Sequence, residues 1–478
     1  MKILFVASEL TPIAKVGGLG DVVGALSKSL TKLGLNVAVV IPRYNFIPKR
    51  GLQLVQENIS IPLKSNTEQI SIYKTNLPGS KTNVFLIDNK KYLSTGPAPY
   101  FESTALVGAK KEIQRFAFFS KAVAYAVLDG WFGGIDLVHA NDWHTGPLVT
   151  LLAKRQNGLV QRPIKTIFTI HNLSNQGRWA SAQIDNWFLS KGEKPIFTPF
   201  SKDYNFIAEG ILNADWVTTV SPTYAKEILT SHYGAGLEKI LKKRVGNLTG
   251  ILNGIDYDFW NPGKDKFIFQ NYSAKNISLK VVNKTAIQKS LKLKHDATIP
   301  VFGLVARLTS QKGIDFIIKA LPGFLKNFDA QFIFLGRGLP EYEKALANLA
   351  QKFPEQIYTK IGFDEPLAHR IYAGSDFFLM PSRFEPSGLG QMIAMRYGTI
   401  PIVRSTGGLE DTVKHLKTGF VFKKANDSYF KKALKTARHY YFRYPKKLAV
   451  IQKNCLKENF DFSESALEYQ KLYQKLLK

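Results

Sequence analysis

A chain of 478 residues is too long for one ordinary hydrophobic core, so two domains are expected. Its 45% hydrophobic and 21% charged content is that of a soluble globular protein, and no apolar run reaches the ~18 residues of a membrane helix. One cysteine, Cys455, excludes an internal disulfide and fits a reducing cytoplasm, while a net charge of +28 favours anionic partners, nucleotide diphosphates or nucleic acid among them. Eleven Lys or Arg against one acid, Asp427, fall within residues 423–457. With no RNP, zinc-knuckle or helix-turn-helix signature, a solvated basic face is expected there, and nucleic acid is not an expected partner.

In chain order, Ile3 to Ala7 reads as a buried strand and not a signal peptide, because Glu9 follows at once. Lys15 to Gly20 is a glycine-rich loop, followed by Asp21. Val22, Val23, Leu26, Leu30 and Leu33 recur at helical spacing from about Leu19, Gly34 stops that helix, and Val37 to Ile41 is the next strand. This βαβ unit has neither Gly-x-Gly-x-x-Gly nor a P-loop; its glycines make either a plain turn or a backbone approach to a ligand. Short strands are expected at 70–74 and 84–87, a loop at 96–99, and a helix from Arg115 to Leu128. A strand then ends in His139, Asn141, Asp142 and His144. Their spacing suits no zinc signature, and a helix cap from Asn141 or Asp142 is the plain alternative. Lys165 to Ile170 is a strand ending at His171-Asn172. Trp179 and Trp187 are core or sugar-stacking residues. Trp216 to Val220 is a strand, and Ser221-Pro222 starts a helix. Asn253-Gly254 is a turn. The domain boundary is expected at 260/261, with 264–283 as exposed linking chain.

The second half starts again as α/β: a strand at Val301 to Val305, then Arg307 and Lys312 in one turn, either two solvated cations or a diphosphate site. Strands follow at 331–335, 357–361, 377–380, 400–403 and 419–422, with helices between them and a helical tail from 428 broken near Pro445. Phe377 to Met380 ends at Pro381, and a polar turn carries Arg383 and Glu385. Ser387, Gly388 and Leu389 then open a helix. Strand, loop and helix start are how an open α/β sheet builds a ligand site.

Several of these stretches carry a resemblance. Lys-x-Gly-Gly-Leu at 15–19, His-x-x-Asp-Trp-His at 139–144, His171-Asn172 and Gly250 to Asp256 come first. The Arg307–Lys312 turn, Ser-Arg-Phe-Glu-Pro-x-Gly-Leu at 382–389 and Thr406-Gly407-Gly408-Leu409 follow. Across almost the whole chain, and in order, they resemble the glycogen and starch synthase family, in particular its bacterial ADP-glucose members. The resemblance implies two doubly wound Rossmann-like α/β domains facing across a cleft, the arrangement called GT-B. These are 1–260, with a C-terminal helix 456–478 packing back on it, and 261–455, which binds the nucleotide sugar. It implies a cytoplasmic retaining glucosyltransferase that elongates α-1,4-glucan from ADP-glucose and releases ADP, with no metal and no cofactor. A UDP-glucose enzyme and a non-catalytic glucan-binding scaffold are the alternatives.

By the same resemblance Lys15, Gly17 and Gly18 hold the donor diphosphate with Asp21 nearby, and Arg307 and Lys312 bind it from the second domain. Asp142 and His171 orient the transferred sugar, His171 through its main chain, and Glu385 holds it. Asn172, Asn253, Ser387, Gly388, Leu389, Thr406, Gly407 and Gly408 join the substrate-binding set, the last two by offering backbone N–H groups to phosphate. Front-face attack through an oxocarbenium-like state is implied, since no covalent nucleophile paired with an acid is recognisable. The chain departs from the family at Ala208, where lysine is usual, and at Ser387, where many bacterial members have cysteine. Ile393 stands where general nucleotide-sugar transferases carry a second acid; the synthases lack that acid too.

Overall fold

The computed structural model describes residues 1–96, 98–100, 106–155, 163–200 and 202–478, with the backbone alone for 106–109. Pro97, in the loop expected at 96–99, lies outside the described residues. The chain divides into two compact units, residues 1–253 with 462–478, and residues 254–461.

In the first unit the strands are β1 (Lys2–Val6), β2 (Asn36–Pro42), β3 (Gln53–Pro62), β4 (Thr67–Asn76), β5 (Asn83–Asp88), β6 (Leu137–Asn141) and β7 (Lys165–Ile170). A small ribbon of β8 (Arg178–Ala180) and β9 (Asp203–Asn205) follows, then β10 (Trp216–Thr219) and β11 (Leu248–Gly250). The main sheet runs β11-β10-β7-β6-β1-β2-β5-β4-β3, parallel up to β5 and antiparallel beyond it. β1 shows why its sequence is an unbroken apolar run. Leu4 and Val6 enter one core with Val40, while Ile3 and Phe5 enter the opposite core with Val39 and Leu137. A strand buried on both faces cannot alternate with polar residues. The edge strand β3 was not expected; it is half exposed and bulged, so it lacks both signals.

The helix Phe462–Leu477 belongs to this unit and packs on Gly18–Lys32. Phe462, Ala466, Tyr469, Leu472 and Tyr473 share a core with Leu19, Val22, Val23, Leu26 and Leu30, the stripe expected of an amphipathic helix. Tyr473 also reaches the sheet, its hydroxyl 2.8 Å from His139 Nδ1, and His139 Nε2 lies 2.6 Å from Thr169 Oγ1. The helical tail is therefore broken twice, at Tyr444-Pro445 as expected and again at 458–461.

The second unit holds β12 (Val301–Val305), β13 (Gln331–Gly336), β14 (Ile357–Ile361), β15 (Phe377–Met380), β16 (Ile400–Arg404) and β17 (Phe420–Phe422), all parallel, in the order β14-β13-β12-β15-β16-β17. The segment 264–283 is exposed along most of its length, as expected of linking chain, but it is anchored at four positions. Asp265, Tyr272, Lys280 and Asn283 are buried in this unit. Asp265 Oδ2 lies 2.7 Å from His369 Nδ1 and accepts from the Tyr397 hydroxyl at 2.6 Å, while Lys280 Nζ donates to the Ala373 carbonyl at 2.6 Å. Polar composition hid these anchors, whose polar groups are satisfied inside.

Candidate active site

In an open α/β sheet, ligands gather beyond the carboxyl ends of the strands where the strand order reverses. In the first unit that point lies between β1 and β6, because β1 is followed across the sheet by β2 on one side and β6 on the other. The Lys15 loop follows β1, Asp142 follows β6, His171-Asn172 follow β7 and Asn253 follows β11. Lys15 Nζ pairs with Asp21 Oδ1 at 2.8 Å, and Thr11 Oγ1 donates to the same oxygen at 3.0 Å. Gly17 stands just before the helix that begins at Gly18, which points its first amides out of the loop.

Asp142 does not cap a helix with its side chain, and this corrects the capping alternative. It sits at φ +57°, and its Oδ1 accepts from the amides of His171 at 2.8 Å and Asn172 at 3.3 Å. Burial pushes its pKa up to about 7 against the pull of those two amides. His171 places Nε2 3.0 Å from Asn141 Oδ1, and desolvation among the strand ends pushes its pKa down to about 3, so the ring is neutral. Asn172 Oδ1 accepts from the Ser174 amide, and Asn253 is buried with its amide on the Val220 carbonyl. His139 and His144 do not converge: His139 bonds Tyr473 and Thr169, while His144 packs among Tyr100, Phe116 and Trp143.

The sequence reading missed Glu9. Its buried Oε2 accepts from the amides of Val16 and Gly17, both at 2.7 Å, and its Oε1 accepts from the Tyr100 hydroxyl at 2.7 Å. The carboxylate thus shapes the glycine loop from beneath. The signal available was an acid directly after an apolar strand and just ahead of a glycine loop.

In the second unit the order reverses between β12 and β15, and the candidate residues follow those strands and β16. Lys312 Nζ pairs with Glu385 Oε2 at 2.6 Å, and the Ser382 hydroxyl donates to that oxygen at 2.9 Å. Both charged side chains are largely buried; Arg307 on the same turn is exposed. Gly313 ends this turn at φ +70°, where a Cβ would stand 2.2 Å from the Pro381 carbonyl oxygen; only glycine lets the Lys312 turn lie on the Glu385 loop. Ser387 presents a buried hydroxyl with no hydrogen-bond partner among the described residues. Gln391 fixes the loop around Gly388 by donating to the carbonyls of Ser387 at 3.1 Å and Gly388 at 2.9 Å. Leu389 immediately precedes the helix Gly390–Arg396, and Thr406 is buried at the end of β16.

The glycine pair differs from expectation in one respect. The Gly408 amide is spent on the carbonyls of Glu385 at 3.1 Å and Pro386 at 3.2 Å and is not offered to an anion. At Gly407, φ is +45° and a Cβ would stand 2.0 Å from the Glu385 carbonyl oxygen. The pair permits close approach to the Glu385 loop. Phe363 is 80% exposed just past the carboxyl end of β14.

Comparison with known proteins identifies the family. Residues 2–243 match the family model of the starch synthase catalytic domain, and residues 284–450 match that of glycosyl transferases group 1. A glycogen synthase of Thermotoga petrophila is 38% identical over 100% of this chain and 99% of its own. The glycogen synthase 2 of Nitrosococcus oceani is 41% identical over 100% of this chain and 97% of its own. The chain belongs to the glycogen and starch synthase family. The catalytic domain of starch synthase IV from Arabidopsis thaliana, solved bound to ADP and acarbose, superimposes with a TM-score of 0.88 at 31% identity, covering 100% of this chain and 99% of that one. A sucrose-phosphate synthase from Thermosynechococcus elongatus, 18% identical with a TM-score of 0.61, shares the fold. The synthase is thus a glycosyltransferase with two Rossmann-like domains of the GT-B class, and its family takes a nucleotide-sugar donor and a glucan acceptor. Among the described residues no helix is long and apolar enough to cross a membrane.

Proposed function

We propose that the enzyme transfers glucose from ADP-glucose to the end of an α-1,4-glucan, with retention at the anomeric carbon and release of ADP. The observation that carries this reading is the pairing of a lysine with a carboxylate at each switch point, Lys15 with Asp21 and Lys312 with Glu385. ADP is supported as the leaving nucleotide by the ligand of the Arabidopsis relative.

In this mechanism Lys15, Arg307 and Lys312 neutralise the diphosphate as its bond to glucose breaks, Arg307 by its fork and the lysines as point charges. The Gly17 amide is held by Glu9, which shapes the loop, and the Gly18 amide at the helix start is directed to the same diphosphate oxygens. Glu385 accepts hydroxyls of the sugar as the ring gains positive charge. Asp142 holds the His171 and Asn172 amides in place, and the His171 main chain lies near the anomeric centre. Glu385 is bonded to Lys312 and Ser382, and Asp142 to two amides, so neither carboxylate is poised as a covalent nucleophile. That favours departure and attack on one face of the sugar. Asn253, Ser387, Gly388, Leu389, Thr406 and Gly407 complete the contacts, while Gly408 holds the Glu385 loop. Phe363 offers a stacking face to the base. The buried thiol of Cys455 fits a cytoplasmic setting.

The test is transfer of labelled glucose to glycogen from ADP-glucose and, separately, from UDP-glucose, without added metal, with the new bond identified by α-specific digestion. Transfer from ADP-glucose alone is expected. Transfer from UDP-glucose alone moves the donor, and none from either supports a binding scaffold. Lys15→Ala and Arg307→Ala should each lower kcat/KM by roughly 2–4 kcal/mol of transition-state stabilisation. An unchanged rate removes that residue from the site.

A further inference from the structure

We infer that Arg383 is a positioning residue for the transfer reaction: it sets where Lys312 stands relative to Glu385. The inference rests on the roles proposed above for those two residues. Lys312 and Glu385 come from loops after different strands, and the sheet does not fix their separation. β12 and β15 are paired only at Phe302 with Phe377 and Gly303 with Phe378, and both chains run on past the last pair before reaching the site.

Arg383 joins them. Its guanidinium donates to both oxygens of Asp315, at 2.7 Å each, and Nη1 also donates to the Ser310 carbonyl at 2.6 Å. The guanidinium lies 4.2 Å from the centre of the Phe316 ring, and the Arg383 amide donates to the Gln311 carbonyl at 2.7 Å. Gln311 returns a bond to the Phe384 carbonyl at 3.3 Å. Lys312 is thus bracketed by residues tied to Arg383, and Glu385 lies two positions beyond it. From the other side, Arg404 Nε donates to the Ser382 carbonyl at 2.7 Å. A planar fork satisfying two carboxylate oxygens and a carbonyl while covering a ring specifies distance and angle together. Lysine cannot reproduce that geometry.

The experiment compares Arg383→Lys, Arg383→Ala, Asp315→Ala and the double alanine variant, all at a temperature where thermal melts show each folded. Glucosyl transfer to glycogen and equilibrium binding of ADP are measured. Arg383→Ala and Asp315→Ala should each lower kcat about 100-fold, the loss that follows a misplacement near 1 Å. Arg383→Lys should lower it about 10-fold while keeping the charge, with the dissociation constant for ADP within about 3-fold throughout. The double variant should be no worse than either single one, because both act through one pair. Unchanged kcat, multiplicative losses, or weaker ADP binding at unchanged kcat would each overturn the inference. The last of these would make Arg383 a direct phosphate ligand. Lys312→Ala and Glu385→Gln separate the levels: if both keep wild-type transfer, the site reading itself fails. If both lose it while the Arg383 variants do not, only this inference fails.

Discussion

Replacing Asp142 by asparagine tests the electrostatics of the first unit. The folded carboxyl has a pKa of about 7 against 3.8 for the ordinary group, chiefly because burial disfavours its charge. A carboxyl raised on folding contributes stability that is full below its unfolded value and is lost as pH rises through its folded value. Integrating between those two values, wild type loses roughly 2–3 kcal/mol more than the variant between pH 5 and pH 8. Asparagine keeps an acceptor oxygen for the His171 and Asn172 amides and has no charge to desolvate. The desolvated histidines His139, His144 and His171, each held near pKa 3, make both proteins lose stability as the pH falls below about 6.5, so they cancel in the comparison. The assay is the melting temperature of both proteins from pH 5 to pH 8. The difference, variant minus wild type, should climb by roughly 4–5 °C for a unit of this size. A flat difference would refute the argument, since it would mean that Asp142 titrates in the folded protein as it does in the unfolded chain.

Gly407→Ala should cost roughly 2–4 kcal/mol in stability, from left-handed backbone and from a Cβ placed 2.0 Å from the Glu385 carbonyl oxygen, and should sharply lower glucosyl transfer; urea unfolding and the glycogen assay check both. Glu9→Ala should free the loop at Lys15, so that trypsin cuts there first, at a cost of about 2 kcal/mol in stability; Glu9→Gln should fall between it and wild type.

Legibility in the sequence followed burial and sidedness. β12 and β15 are apolar runs bounded by turn residues, and their ends could be placed because parallel strands are buried on both faces. Once the strands are placed, the site's location follows from topology, since loops at the carboxyl ends of switch-point strands must carry it. β3 escaped because an edge strand is neither continuously apolar nor regularly alternating. The anchors of the 264–283 segment escaped because their burial depends on partners elsewhere, Asp265 on His369 and Lys280 on Ala373.

The same distinction governs the site. That Lys312 and Glu385 sit on loops was readable from local pattern, but that they touch was not. Their contact depends on Gly313 admitting the Pro381 carbonyl and on Arg383 meeting Asp315, 68 positions away. Glu9 is the inverse case: its partners lie 7 and 8 positions on, yet the acid looked incidental because a single carboxylate beside a glycine loop has many uses. Periodicity reports which face of an element is buried and is silent on which loop meets which. The residues that hold a site in shape are therefore harder to read than those that work in it, because a working residue keeps its chemistry on any loop, whereas a positioning residue has meaning only beside its partner.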